Sequence, residues 1–221
     1  YHALKLNCTT NSNVAVGSCA LCANTTGAEN TAVGYCAGAS TVDTGNATFV
    51  GFEAGKATTG EGNVAVGRRA LHVNSTGASN TALGTYAMGS NLGGQCNVAI
   101  GRSAVYANTE GDDNVGIGNN ALTTNTTGSK NVAVGHTSLN FNISGESNVA
   151  VGYQALYCNT GWLNTAVGEC ALRSNTEGDS NTAIGRYSLN ANTEASYNTA
   201  VGEKALAANT TGDQNTALGY C

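Results

Sequence analysis

The sequence predicts an all-β fold, a parallel β-solenoid in which each tandem repeat forms one coil. A motif close to N-[TV]-A-[VIL]-G recurs along the whole chain, and its closing glycine marks thirteen repeats separated by ten intervals of 17 residues and two of 16. The β-branched residues of this motif recur at spacing two, as in a strand, and the apolar cluster is too short for a helix. Glycine and an Asn-Thr-Thr-Gly string then supply turns in every repeat. We call the closing glycines the anchor glycines: Gly17, Gly34, Gly51, Gly67, Gly84, Gly101, Gly118, Gly135, Gly152, Gly168, Gly185, Gly202 and Gly219.

The repeat length selects strands rather than helical hairpins. Helical repeats generally need 33 residues or more, whereas 17 residues suit one solenoid coil with two short strands and two bends. Because hydrogen-bonded strands lie roughly 4.8 Å apart, about 13 coils predict a rod on the order of 60 Å long. No stretch stands outside the repeat, so residues 1–221 are predicted to be a single array with no internal boundary. The most divergent copies lie between Gly34 and Gly67.

The ends of the sequence lack the polar capping units that solenoids normally use to cover their last core layer. Tyr1 occupies the slot directly after an anchor glycine, and Cys221 follows the last anchor by two residues. We therefore expect the chain to be a segment of a longer protein.

Each slot of the repeat has an expected direction. The Val, Ile or Leu before the anchor glycine, as at Val16 and Ile100, is expected to point into the coil. The Ala before it, as at Ala150, is expected to face outward. Because a free outward slot would carry Lys or Glu, a small residue there indicates either packing against a neighbouring chain or a monomeric rod with a dry, flat face. The asparagines of successive coils should form hydrogen-bonded columns. The two variable residues after each anchor glycine should form the surface.

Composition limits the function. The chain has 30 Gly, no Pro, 10% charged residues and a net charge of −5. Small residues fill a narrow core better than a wide one. The acidic balance argues against nucleic acid and against an anionic membrane surface as partners, because phosphate binding needs a basic surface. No membrane insertion is expected.

Residues with catalytic or metal-binding chemistry do not converge in the repeat pattern. His2, His72 and His136 occupy different slots on separated coils, and a catalytic site needs groups that meet. No nucleophile elbow, phosphate loop or H-E-x-x-H string occurs. The sequence therefore predicts no enzyme activity, no cofactor and no metal site.

Cysteines and N-x-[ST] strings give the remaining candidate sites. Cys19 and Cys36 share a slot on adjacent coils, which places them within the Cα range of a disulfide; the C-x-x-C pair of Cys19 and Cys22 is only a weak indication of zinc or redox chemistry. Most of the sequons fall in the repeated turn, so either corner chemistry or a column of glycans explains them. The candidate glycosylation sites are Asn7, Asn24, Asn46, Asn74, Asn125, Asn142 and Asn209.

The copy at residues 148–156, NVAVGYQAL, carries a resemblance that extends over the entire chain. It is similar to the repeats of phage tail-fibre-type proteins and related bacterial surface proteins and, more loosely, to the N-S-V-A-I-G repeats of trimeric autotransporter adhesin heads. The resemblance implies left-handed parallel β-rolls that associate as trimers in extracellular, cell-surface or virion structures.

Three functions follow as hypotheses. The first is a non-enzymatic shaft or fibre segment that self-associates as a homotrimer or filament. The second is a module that binds cell-surface carbohydrate along the variable stripe of Tyr35, Tyr153 and Arg186, or a secreted glycosylated filament. The third is an ice-binding solenoid, which the mixture of Thr and Val before the Ala slot disfavours.

Overall fold

A computed structural model describes residues 1–7 and 11–221 of the chain. These residues form sixteen short strands joined by turns, and the described part contains no helix. All the strand pairs are parallel, and successive strands of the main sheet follow one another at the period of the repeat. The predicted β-solenoid class is therefore confirmed. The described residues divide into two compact units, Tyr1–Asp112 and Asp113–Cys221.

The first unit has two parallel sheets. Its main sheet has the strand order β1-β2-β3-β5-β7-β9, and a second, three-stranded sheet has the order β4-β6-β8. The bounds are β1 Val14–Val16, β2 Thr31–Val33, β3 Thr48–Val50, β4 Ala57–Thr58, β5 Val64–Val66, β6 Val73–Asn74, β7 Thr81–Leu83, β8 Ser90–Asn91 and β9 Val98–Ile100.

The second unit has one parallel sheet whose strands follow the order of the chain. Corresponding residues of successive coils lie side by side: Val132 pairs with Val149, Ala133 with Ala150 and Val134 with Val151. Each slot of the repeat therefore becomes a column across the coils. The strands are β10 Val115–Ile117, β11 Val132–Val134, β12 Val149–Val151, β13 Thr165–Val167, β14 Thr182–Ile184, β15 Thr199–Val201 and β16 Thr216–Leu218.

The inward and outward faces of the main-sheet strands are exchanged relative to the prediction. The middle Ala, as at Ala133 and Ala150, is fully buried inside the coil, whereas Val33 and Ile184 are 37% and 42% exposed. The expectation that Val16 and Ile100 point inward is therefore wrong. The coil is too narrow for a branched residue on the strand, because the interior is already occupied by a Leu from the turn, such as Leu139 or Leu156.

The turn after each anchor glycine brings that leucine inward with an unusual backbone. The second and fourth residues after the anchor have positive φ, as in Gln154 at 53° and Leu156 at 50°. Left-handed φ costs a non-glycine residue roughly 1–2 kcal/mol. Both residues are held by bonds to neighbouring coils: the Gln154 N–H donates to the His136 carbonyl at 3.2 Å and the Leu156 N–H to the Ala171 carbonyl at 3.0 Å.

The anchor slot requires glycine for two reasons. Gly67 has a φ of 130°, and a Cβ added to it would lie 2.7 Å from the carbonyl oxygen of Gly84 on the next coil. No side chain fits at that separation, so the backbones of successive coils approach each other closely only because this column is glycine.

Two asparagine ladders run through the interior, as predicted. In the first, the backbone N–H of Asn148 donates to Oδ1 of Asn131 on the preceding coil at 3.0 Å. In the second, Nδ2 of Asn142 donates to Oδ1 of Asn125 at 3.0 Å and to the Gly145 carbonyl at 2.9 Å. Every buried side-chain N or O atom among the described residues has a partner.

The divergent coils between Gly34 and Gly67 keep the same interior with different residues. Phe49 replaces the middle Ala of β3 and is fully buried. Gly38 and Gly55 replace the inward leucines on either side. A Cβ on Gly38 would lie 2.8 Å from the Phe49 ring, and a Cβ on Gly55 would overlap the ring. The exchange of one Ala for Phe is therefore matched by the loss of two leucine side chains.

Candidate functional surfaces

The first candidate surface is the outward face of the main strands, which we call the outer strand face. It consists of the first and third residues of each main-sheet strand, and every one of these residues is Val, Thr, Ile or Leu. The side chains are partly exposed, as at Val151 and Val167, and none is charged. Each unit therefore presents a repeated, uncharged surface of Val, Thr, Ile and Leu side chains.

The second candidate surface is the corner stripe, formed by the first two residues after each anchor glycine. In the first unit the rings of Tyr35 and Phe52 stack with centroids 5.2 Å apart and planes 14° apart. In the second unit His136 and Tyr153 stack at 5.6 Å and 13°. Tyr35 and Tyr153 are 52% and 49% exposed, so these flat aromatic surfaces are open to solvent.

The corner stripe of the second unit also carries an ionic ladder. Arg186 contacts Glu169 at 3.2 Å and Glu203 at 3.5 Å, on the coils before and after its own. Its guanidinium also lies 4.6 Å from the centroid of the Tyr187 ring. The Arg186 of the predicted carbohydrate stripe is thus held by neighbours on three sides.

An ion cluster surrounds Glu53 in the first unit. The carboxylate, in a residue only 7% exposed, lies 2.9 Å from Lys56 Nζ and 2.7 Å from Arg69 Nε. Its backbone carbonyl lies 3.3 Å from Nδ1 of His72. The hydrogen bond from Lys56, aided by the one from Arg69, holds the pKa of Glu53 below its usual value, and the same contacts raise the pKa values of Lys56 and Arg69.

The sequon asparagines occupy two environments. Asn24, Asn74, Asn125 and Asn142 are fully buried, and their amides donate to turn carbonyls inside the coil. A glycan on Nδ2 would have to replace these bonds, so the structure favours corner chemistry over a glycan column at these four positions.

The three other sequon asparagines lie nearer the surface. Asn7 and Asn209 are half-buried and Asn46 is exposed. Cys8 and Thr9, which complete the Asn7 sequon, lie outside the described residues. Glycosylation at these three asparagines stays a prediction.

Cys19 and Cys36 occupy the same slot on adjacent coils, as expected, and both are free thiols. The Cys36 N–H donates to the Ser18 carbonyl at 2.9 Å. A third thiol, Cys22, follows Cys19 by three residues and donates to the Ala39 carbonyl at 3.4 Å. The sequence signals for this cluster were the shared slot of Cys19 and Cys36 and the C-x-x-C string of Cys19 and Cys22.

The structure brings together neither the three histidines nor a set of metal ligands. His72 lies beside Glu53 and His136 stacks on Tyr153. Within residues 1–7 and 11–221 no group of three or more His, Cys, Asp or Glu side chains is arranged to hold a metal ion. The same residues contain no helix long and apolar enough to cross a bilayer.

Comparisons with known proteins were made for the whole chain. None of the protein-family models, curated proteins or solved structures with which the chain was compared matches it. The functional argument therefore rests on the surfaces described above.

Two features of these surfaces were missed by reasoning from the sequence. The Glu53 cluster joins residues 3 and 16 positions apart in the chain, and only the coil geometry shows that these slots meet. The outer strand face was assigned to the wrong residues. One signal in the sequence could have corrected this assignment. Phe49 replaces the middle Ala, and glycines replace the leucines of the adjacent coils, which indicates that the middle slot points inward.

Proposed function

We propose that the chain is a non-enzymatic structural segment of an extracellular, cell-surface or virion fibre, which self-associates through its outer strand face. The observation that carries this proposal is the charge-free Val/Thr/Ile/Leu surface that recurs on every main-sheet strand. Parallel sheets are normally covered on both faces, and the interior covers only one face here.

A second copy of the same chain is the partner that fits this surface best. Its own outer strand face has the same residue types at the same strand spacing, roughly 4.8 Å, so contacts made at one coil can be repeated at the next. Charge depletion is also typical of the centre of protein interfaces. A homotrimer and a lateral filament both satisfy this geometry.

Solution mass and negative-stain electron microscopy test the proposal. The wild-type chain is expected to have a mass that is a multiple of 22.1 kDa and to form elongated particles. The double variant Val134→Lys with Val151→Lys introduces charge on the outer strand face and should reduce the mass to that of one chain. Thr127→Lys adds the same charge at an exposed turn and should leave the mass unchanged. A wild-type mass of one chain contradicts self-association.

A second candidate function, carbohydrate binding, is favoured by the stacked and exposed rings of the corner stripe. Tyr35–Phe52 and His136–Tyr153 present flat aromatic faces, on which sugar rings can stack. A glycan array probed with the wild-type chain and with Tyr153→Ala tests it. Binding that is lost in the variant supports this function, and the absence of wild-type binding excludes it for the glycans on the array.

A further inference from the structure

Three cysteines lie at one corner of the first unit. Cys19 and Cys36 are each the second residue after an anchor glycine, on adjacent coils, and Cys22 follows Cys19 by three residues. The Cys22 thiol donates to the carbonyl oxygen of Ala39, on the coil that carries Cys36, at 3.4 Å. The three thiols therefore share one surface that bridges two coils.

The same three slots are filled by charged residues two coils further on, and their side chains converge there. Glu53, Lys56 and Arg69 occupy the slots that correspond to Cys19, Cys22 and Cys36. Glu53 contacts Lys56 at 2.9 Å and Arg69, on the following coil, at 2.7 Å. For cysteines, a disulfide first requires that the two backbones lie close enough. Adjacent coils lie roughly 4.8 Å apart, which falls within the Cα range of a disulfide, about 4.4–6.8 Å.

The cluster is accessible to a small reagent. An open depression of about 260 Å³ is lined by Cys19 and Cys22 together with His2, Lys5, Leu6 and Ala23. The three cysteines are half-buried rather than enclosed. Lys5 adds a positive charge to the rim, which suits a reagent that carries carboxylates.

We propose that Cys19, Cys22 and Cys36 form a thiol–disulfide exchange site, at which a small-molecule disulfide such as oxidised glutathione installs a Cys19–Cys36 bond that joins two adjacent coils. The Cys19 thiolate attacks one sulfur of the glutathione disulfide, forming a mixed disulfide and releasing one glutathione thiolate. The Cys36 thiolate then attacks the Cys19 sulfur and releases the second glutathione. Two electrons pass from the cysteines to glutathione, and the two cysteine protons end on the two released glutathiones.

Cys22 has a different role from its two neighbours. Burial, followed by the proximity of Cys19 and Cys36, raises the pKa of the Cys22 thiol. Because the thiolate is the attacking species, a protonated Cys22 is the poorer nucleophile and the better hydrogen-bond donor. Its thiol donates to the Ala39 carbonyl, which leaves Cys19 and Cys36 as the pair that reacts.

Peptide mapping after redox equilibration tests this proposal, which does not depend on the proposed fibre function. The reduced full-length chain is equilibrated in glutathione buffers of increasing oxidised fraction, alkylated and cleaved after glutamate. Cleavage at Glu29 separates Cys19 and Cys22 from Cys36. A Cys8→Ser background removes the one other thiol of the first fragment.

The expected product is fragment 1–29 joined to fragment 30–53. This joined product should disappear in Cys36→Ser and in Cys19→Ser, and it should persist in Cys22→Ser. Cys170→Ser is the control and should leave the product unchanged, because the Cys170 thiol contacts Gln154 rather than another cysteine. The melting temperature should rise on oxidation in the Cys8→Ser background and stay constant in Cys36→Ser. Failure to form the joined fragment in strongly oxidising buffer overturns the proposal, as does its persistence in Cys19→Ser.

Discussion

Around Phe49 the interior of the coil is filled by one aromatic ring between two glycines, whereas around Ala150 it is filled by Leu139 and Leu156. The hydrogen bonding differs as well. Thr41 lies in the column of the second asparagine ladder and donates to the Gly38 carbonyl at 2.7 Å. In the same column of the second unit, Asn142 donates both to the Gly145 carbonyl and to Asn125 on the preceding coil. In both regions the interior is filled and its polar groups are hydrogen-bonded. The residues of the repeat can therefore differ as long as these two conditions are met.

Removal of the aromatic ring is the largest disruption that we expect. Phe49→Ala leaves a cavity between Gly38 and Gly55 and should reduce the free energy of unfolding by about 3–5 kcal/mol. Addition of Gly38→Leu and Gly55→Leu rebuilds the packing of a regular coil and should recover most of that loss. Denaturant titration of the single and triple variants measures both. A triple variant no more stable than Phe49→Ala contradicts the volume exchange.

The ladders should show a smaller effect that differs between the two regions. Asn142→Ala removes the hydrogen bonds to Asn125 and Gly145 and also the acceptor of the bond from Asn159 at 3.2 Å. It should lower the free energy of unfolding by about 2–3 kcal/mol, because buried partners are left without hydrogen bonds. Thr41→Val removes one bond to Gly38 and should cost about 1 kcal/mol. Thermal or denaturant unfolding of the two variants compares them. Equal losses would show that the asparagine ladder contributes no more than an isolated bond.

The fold class was predictable from the sequence, whereas the direction of the strand faces and the backbone of the turn were not. The repeat period and the spacing of the β-branched residues were enough for the solenoid and its asparagine ladders. The direction of the strand faces was not predictable from spacing, because Val149, Ala150 and Val151 make both faces apolar and a period of two does not say which is inside. Nor was the positive φ of Leu156 predictable, since leucine disfavours it and only the bonds between coils impose it.

The Glu53 cluster should give the divergent coils a dependence on pH. The folded pKa of Glu53 is lowered, so its stabilising contribution is full above the unfolded pKa of about 4.3 and is lost as the pH falls through the lower folded pKa. Glu53→Gln should therefore destabilise the chain slightly at pH 7 and have progressively less effect at acid pH.

Melting temperatures of wild type and Glu53→Gln between roughly pH 2 and pH 7, which spans the range in which carboxyl groups titrate, test that sign. Glu169→Gln is the matched control, because Glu169 is an exposed partner of Arg186, and exposed pairs contribute little. A difference between wild type and Glu53→Gln that grows as the pH falls contradicts the assignment.

The assignment of the two strand faces is the central claim, and two adjacent residues test it most directly. Ala150→Asp and Val151→Asp place the same charge on neighbouring residues of β12, and solution mass is measured together with the melting temperature of each. The account predicts that Ala150→Asp unfolds its coils, because the charge is buried without a partner. Val151→Asp should remain folded, because its charge is exposed to solvent, and should reduce the mass to 22.1 kDa. A folded, self-associating Ala150→Asp chain together with an unfolded Val151→Asp chain would contradict it.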